Sequence, residues 1–408
     1  GRDARVSGLM VQGLVLETLT KMGYDVVCLG LSTTPTVEIA VPIEKADAGI
    51  IITASHNPRE WNALKLLNNK GEFINAEDGE NLMSIADSNP SFDENINLGS
   101  VTFNDSYIDT HIDSILKLPF IDSESIKRRK FKVVVDAVNS TGGIAIPKLL
   151  ERLGVETVKL YCDPTGEFPH NPEPLKENLS DLSKLVVNHA ADLGIVVDPD
   201  VDRLAFVCED GEVFGEEYTL VACADYYLKH NPGNTVSNLS SSRALKDVSG
   251  LNGCNHFFSA VGEVNVVELM KKKNAVIGGE GNGGIILPDL HYGRDALVGI
   301  ALFLSHLANL NISCSQLRSK YPSYFMSKDK IMLDKTVNVD KIINEISKKY
   351  SDQEINNQDG LKIDFENSWV QLRKSNTEPI IRVYSEAKSQ EEANMLSSKF
   401  IDEINMIK

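Results

Sequence analysis

Apolar residues recur at helical spacing over 8–22, directly after Ser7, and this pattern predicts a helix capped by that serine. Val26 to Leu29 reads as a short strand, 36–45 as a helix entered through Pro35, and Gly49 to Thr53 as a buried strand. The polar stretch 84–104 reads as loop or edge structure. Residues 116–130, which end in Lys127-Arg128-Arg129-Lys130, read as a linker. The alternation restarts with a strand over 132–137, a helix over 144–153, a strand over 155–160, a helix over 179–190 and the strand Leu193 to Val197. A third unit begins near Gly215, with helices over 217–229, 263–273 and 295–309 and strands over 234–238 and 275–277. Strands alternating with helices imply sheets covered by helices on their faces. After Pro322 the pattern changes to strands over 361–365, 369–373 and 380–385 and one helix over 389–404, which suits an antiparallel sheet. The prediction is an α/β chain: three similar mixed α/β domains plus a small C-terminal α+β domain, divided as 1–120, 121–214, 215–325 and 326–408.

Composition narrows the function classes. Lys and Arg number 41 against 58 Asp and Glu, a net charge of −17, which disfavours nucleic acid and anionic membranes as partners. Six scattered cysteines show no metal-ligand spacing and read as reduced thiols of a cytoplasmic protein. The chain starts at Gly1-Arg2-Asp3 without a methionine, so an upstream segment is expected to be missing.

Four polar loops carry candidate chemistry. Thr53-Ala54-Ser55-His56-Asn57-Pro58 follows a buried strand and offers the Ser55 hydroxyl as nucleophile or phosphate carrier, with His56 and Lys65 nearby. A serine in such a loop is ordinarily structural, and Lys65 ordinarily a solvated lysine. Asp198-Pro199-Asp200-Val201-Asp202-Arg203 packs three carboxylates that repel unless a cation neutralises them, and oxygen ligands suit Mg²⁺. A calcium loop would need glycine where Arg203 stands; Arg203 instead offers a fork for phosphate. Gly278 to Gly284 is dense in glycine, which permits close backbone approach to a ligand, and Glu280 and Asn282 can read sugar hydroxyls. Arg373, Ser375, Asn376, Thr377 and Arg382 form a candidate phosphate clamp; the bland alternative is a polar hairpin turn. Four such loops in four units imply a central cleft where the domains meet.

Together these motifs resemble the alpha-D-phosphohexomutase family of phosphoglucomutases, phosphomannomutases and phosphoglucosamine mutases, along essentially the whole chain. The resemblance implies four domains around a cleft, with Ser55 carrying the phosphoryl group and Mg²⁺ held by Asp198, Asp200, Asp202 and the phosphate on Ser55. It implies Lys65 in proton transfer, Glu280 and Asn282 on the sugar, and Arg373, Ser375, Asn376, Thr377 and Arg382 on the substrate phosphate. Gly1-Arg2-Asp3-Ala4-Arg5 looks like the family's helix-entry segment. The implied reaction interconverts hexose 6-phosphate and 1-phosphate through a hexose 1,6-bisphosphate, which turns round in the cleft and also serves as activator.

Many members read Glu-x-Ser-Gly-His in the sugar loop, whereas Gly284 stands where the histidine would be. His291 or Glu263 is the expected replacement for that acid/base. The family also has a strand before Gly1, and its loss predicts an unpaired sheet position. Glucosamine phosphate is the favoured substrate, followed by glucose or mannose phosphate. A non-catalytic sugar-phosphate-binding protein and a phosphatase are the competing classes. Oligomeric state is left open, and a hinge is expected near residue 325.

Overall fold

The computed structural model describes residues 1–88, 90–91, 97–333, 337–374 and 379–407. Its second and third units share one topology. In the second, Glu156–Leu160, Lys132–Asp136 and Leu193–Val197 run parallel, and Leu204–Cys208 closes the sheet antiparallel to Leu193–Val197. In the third, His256–Ser259, Asn234–Asn238 and Ala275–Glu280 run parallel, and Gly284–Ile286 returns antiparallel to Ala275–Glu280. The first unit repeats the closing hairpin with Gly49–Ile52 and Leu64–Leu67, beside the parallel pair Val26–Cys28 and Val101–Phe103. The three candidate loops before residue 300 therefore occupy one topological position, the turn from an interior strand into the antiparallel strand.

Gly1–Asp3 runs between residues 30–32 and the strand Gly49–Ile52. Arg2 N donates to Gly30 O, Ser32 N to Arg2 O, Asp3 N to Ile52 O and Ile52 N to Gly1 O. The helix Gly8–Lys21 forms as expected, but the Ser7 side chain makes no cap and Leu9, Met10 and Leu14 point to solvent. The helix Thr34–Glu44 is set by its ends: Thr33 accepts from Thr36 N, Pro35 lies in the first turn, and Lys45 takes the left-handed conformation. Residues 116–130 are not a free linker. Ser123–Arg129 is a helix capped by Asp122, with Ile126 fully buried and the basic run in its last turn.

The second and third units share a continuous core. The helix Ala296–Leu310 is buried along most of its length, and Phe303 stacks on Phe206 of the second unit at 3.8 Å. Among the described residues no helix is long and apolar enough to cross a membrane.

The fourth unit has its own core around Leu372, Ile381, Val383 and Phe400. Its sheet is antiparallel, in the order Phe325–Met332, Ile380–Ala387, Trp369–Lys374, Leu361–Asp364, Glu354–Asn356. Two helices cover it, Val339–Lys349 and Gln390–Ile407, where the pattern predicted one. The strand Phe325–Met332 escaped the sequence because Lys328, Asp329 and Lys330 interrupt its apolar alternation at the sheet edge.

Candidate active site

The turn after Gly49–Ile52 is held from below by one residue. Arg5 is buried and donates to the carbonyls of Ser55, Asn57, Pro58 and Trp61, at 2.5 to 2.9 Å. Asp3 anchors it: Arg5 Nε lies 3.0 Å from Asp3 Oδ2, which also accepts from the Thr53 hydroxyl at 2.7 Å. Thr53 Oγ1 in turn accepts from Ser55 N. These contacts over-determine a backbone that Ser55 enters with φ 49°, a left-handed conformation uncommon for a serine. The result is an Oγ aimed across the unit boundary, 2.9 Å from Asp198 Oδ2.

The carboxylate turn is built as firmly. Ser140 and Thr141 both donate to Pro199 O, at 2.7 and 2.8 Å. Val201, a β-branched residue, is forced to φ 66°, and its carbonyl accepts from Ala296 N. Asp198 Oδ1 accepts from the backbone N–H groups of Asp202 and Arg203. All three aspartates are fully buried, and one oxygen of each lies within 4.8 Å of the others.

Cations face them. Lys65 Nζ is 2.6 Å from Asp200 Oδ2 and 3.0 Å from Asp202 Oδ2. Arg294 Nη2 is 2.7 Å from Asp202 Oδ2. Asp200 Oδ1 and Asp202 Oδ1 nevertheless remain buried without a hydrogen-bond partner. Two orphaned carboxylate oxygens beside a third carboxylate fit a hard dication.

The charges set the protonation states. Burial and then the carboxylates of Asp202 and Asp200 push Asp198 well up. Burial would also raise Asp202, but Arg294 and Lys65 hold it low. Lys65 is pulled down by burial and raised more by Asp200 and Asp202, so it keeps its proton. Burial and then the Arg203 guanidinium push His56 down to about 4. A neutral His56 thus presents Nδ1 at 3.4 Å from Ser55 Oγ.

Other expected site residues are placed differently. Arg203 Nη1 donates to Glu173 Oε1 at 2.9 Å, and Glu173 lies 3.9 Å from His56 Nε2. Glu280 is 4% exposed, accepting from Asn238 Nδ2, Gly262 N and Arg294 Nη1, while Asn282 is less enclosed. The glycines of this loop make room for protein rather than ligand. A Cβ on Gly281 would strike Glu217, and one on Gly283, at φ 88°, would strike the Leu204 carbonyl.

Neither proposed replacement acid/base faces Ser55. Glu263 is engaged by Arg294 N and Nε, both at 2.9 Å, because that guanidinium needs a counter-charge. His291 faces Asp295 and Glu38 instead. Arg294 was not singled out by any motif. It ties together Asp202, Glu263 and Glu280 from the turns of the second and third units.

On the fourth unit, Arg373 and Arg382 are directly opposed on neighbouring strands, and Lys330 is opposed to Arg382. Like charges in that register are unfavourable unless an anion joins them. Among the described contacts Asp359 answers Arg373, 2.8 Å from its Nε, and it also accepts from Val261 N of the third unit. Ser375, Asn376 and Thr377 lie outside the described residues.

Comparison with known proteins follows the same division. Models for phosphoglucomutase/phosphomannomutase domains I, II, III and the C-terminal domain match residues 1–92, 105–211, 215–324 and 331–403. The second model begins at residue 105, where the sequence pattern suggested 121. A phosphoglucomutase/phosphomannomutase of Thermococcus kodakarensis is 36% identical, over 96% of this chain and 86% of its own length. A probable phosphoglucosamine mutase of the same organism is 32% identical, over 98% and 88%. The crystal structure of a phosphoglucomutase/phosphomannomutase family protein from Burkholderia thailandensis superposes with a TM-score of 0.85 at 26% identity, covering 100% of this chain and 88% of that one. With the four domain models matched in order, the chain belongs to the alpha-D-phosphohexomutase family of intramolecular phosphotransferases.

Proposed function

We propose that the chain interconverts the 1- and 6-phosphates of glucose and mannose through a phosphorylated Ser55. The observation that carries the chemistry is Ser55 Oγ, held 2.9 Å from Asp198 beside two further buried aspartates. Asp198, Asp200 and Asp202 would hold Mg²⁺, which neutralises charge on the transferring phosphoryl group. In the forward half, a sugar hydroxyl oxygen bonds to phosphorus as the Ser55 Oγ–P bond breaks; the hydroxyl proton goes to a base and the freed Ser55 Oγ takes up a proton. The product is a hexose 1,6-bisphosphate. After it turns round, Ser55 Oγ gives up its proton and attacks the other phosphate; the bond from that phosphorus to the sugar oxygen breaks, the sugar oxygen is protonated, and the serine is phosphorylated again.

His56 Nδ1 is the neutral nitrogen facing Oγ and suits accepting the serine proton when Ser55 attacks in the return half, while Lys65 supplies charge. The opposed Arg373 and Arg382 suit the phosphate that is not being transferred, in either orientation of the sugar.

The preference for glucose and mannose replaces the glucosamine expectation. It rests on the two Thermococcus kodakarensis relatives, where the phosphoglucomutase/phosphomannomutase is the nearer at 36% against 32%.

The test measures conversion of the 1-phosphates of glucose, mannose and glucosamine, each primed with its bisphosphate. Higher kcat/KM for glucosamine than for both others would overturn the substrate reading. No conversion of any hexose would overturn the mutase reading. Intact mass should show about 80 Da of phosphoryl group on the wild type, absent from Ser55→Ala, whose turnover should fall by about four orders of magnitude.

A further inference from the structure

A second group of ligand-type side chains lies where the first three units meet, and the phosphotransfer chemistry does not use it. His111 Nε2 is 2.8 Å from Asp295 Oδ2, and His291 Nε2 is 3.3 Å from the same oxygen. The three atoms lie within 4.8 Å of one another. For an ion bound at about 2.0–2.2 Å by nitrogen and oxygen, tetrahedral ligand atoms stand about 3.3–3.6 Å apart; the His291–Asp295 separation falls there, and the His111–Asp295 pair would open by about 0.5 Å to admit an ion.

Each ligand is oriented by its far atom. His111 Nδ1 meets the Thr36 hydroxyl at 3.0 Å, and that hydroxyl meets Thr33 Oγ1 at 2.7 Å. Asp295 Oδ1 accepts from the backbone N–H groups of Leu297 and Val298 at the start of the helix, which leaves Oδ2 for the cluster. His291 Nδ1 lies 3.1 Å from Glu38 Oε2. A metal-bound imidazole commonly has its other nitrogen held in this way by a carboxylate, hydroxyl or carbonyl.

An independent observation comes from Glu38. Its carboxylate is 1% exposed, yet neither oxygen has a well-aligned hydrogen bond, and His291 Nδ1 also lacks one. The two stand 3.1 Å apart, an ion pair when His291 carries a second proton. A buried carboxylate in that position is costly unless positive charge lies near it. Two carboxylates, Glu38 and Asp295, balance the charge of one divalent ion.

We propose that His111, His291 and Asp295 form a second divalent-metal site, with water as fourth ligand and Glu38 as the partner that orients His291. Two imidazoles and one carboxylate select a transition ion of the zinc type, whereas the three aspartates near Ser55 are an all-oxygen set suited to Mg²⁺. The ligands and their orienting partners come from separate units: the partners Glu38 and Thr36 from the first, the ligand His111 from the second, and the ligands His291 and Asp295 from the third. The ion would therefore act as a structural pin across the catalytic floor. His291, at 10% side-chain exposure, marks the side from which it enters.

The full chain is stripped with chelator, supplied with excess Mg²⁺ to fill the oxygen site, and titrated with Co²⁺. The expected result is one equivalent of Co²⁺ with the intense visible absorption of four-coordinate cobalt, displaced by Zn²⁺, and a Tm raised by Zn²⁺. His111→Asn and His291→Asn should each abolish that absorption, and Glu38→Gln should weaken binding by about 10–100-fold. If the histidine variants fail to fold, Glu38→Gln and the wild-type titration decide. Only the weak absorption of octahedral cobalt, or uptake unchanged in all folded variants, would overturn the proposal and leave a proton-shared network.

Discussion

The floor of the site and its fourth-unit wall are built on opposite principles. Around Ser55 the charges are buried and nearly all answered: Lys65 and Arg294 face the aspartates, and Arg5 faces Asp3. On the fourth unit, Lys330, Arg382 and Arg373 stand in a row across neighbouring strands, and Asp359 pairs with Arg373. The first arrangement fixes atoms for chemistry. The second gathers like charges on neighbouring strands, which under the proposed function would be answered by a substrate phosphate. The cores follow suit, one continuous across the second and third units and another separate within the fourth.

Removing the guanidinium under the serine turn is the strongest attack on that contrast. Arg5→Met leaves Asp3 as an uncompensated buried charge and should cost about 3–5 kcal/mol of stability in the floor. Calorimetry should show the floor transition moving down while that of the fourth unit holds. A single transition shifting as a whole would mean that the two regions are one cooperative body.

The wall should respond in binding rather than in folding. Arg373→Ala should lower kcat/KM by about 10–100-fold, chiefly through KM, with Tm nearly unchanged, because a charge-assisted bond to phosphate contributes about 1.5–3 kcal/mol. An equal loss confined to kcat would place Arg373 with the floor instead.

The smallest effect probes the seam between the third and fourth units. His256 is pushed down to about 3, by burial first and then by the charges of Lys362 and Lys246. Lys362 stacks over Phe258 at 4.4 Å and donates to Leu239 O, so this histidine sits beside the docked fourth unit. A histidine whose folded pKa is depressed favours the folded state above its unfolded value, near 6.5. That contribution is lost as pH falls through the window from about 6.5 to 3. At pH 5 the loss is up to about 2 kcal/mol, and His256→Gln should flatten the Tm profile there. An unchanged acid limb in that variant would remove His256 from the account.

The sequence carried the units and three of the loops because each loop follows a continuous apolar run, and such runs mark buried strands directly. It did not carry the arrangement of Glu280, whose carboxylate serves Arg294 and the backbone rather than facing outward. Arg294 itself lies in an unremarkable stretch after Tyr292, and nothing in local pattern signals an arginine that contacts three acids distant in the chain. The equivalence of the three turns was also hidden, since it resides in strand order and not in shared residues. The helix Val339–Lys349 had a readable apolar stripe, with Ile342 and Ile346 buried, but it lies among charged residues that suggested loop.

Arg5 has one more implication. It grips the serine turn through main-chain carbonyls, so it recognises a path of backbone and is indifferent to the side chains that line it. Positions such as Arg59 and Glu60, whose side chains are largely exposed, are then free to drift over evolutionary time without altering where the serine oxygen is delivered. The shape of the turn is then carried by Arg5 with Asp3 and Thr53 and not by the side chains at its rim.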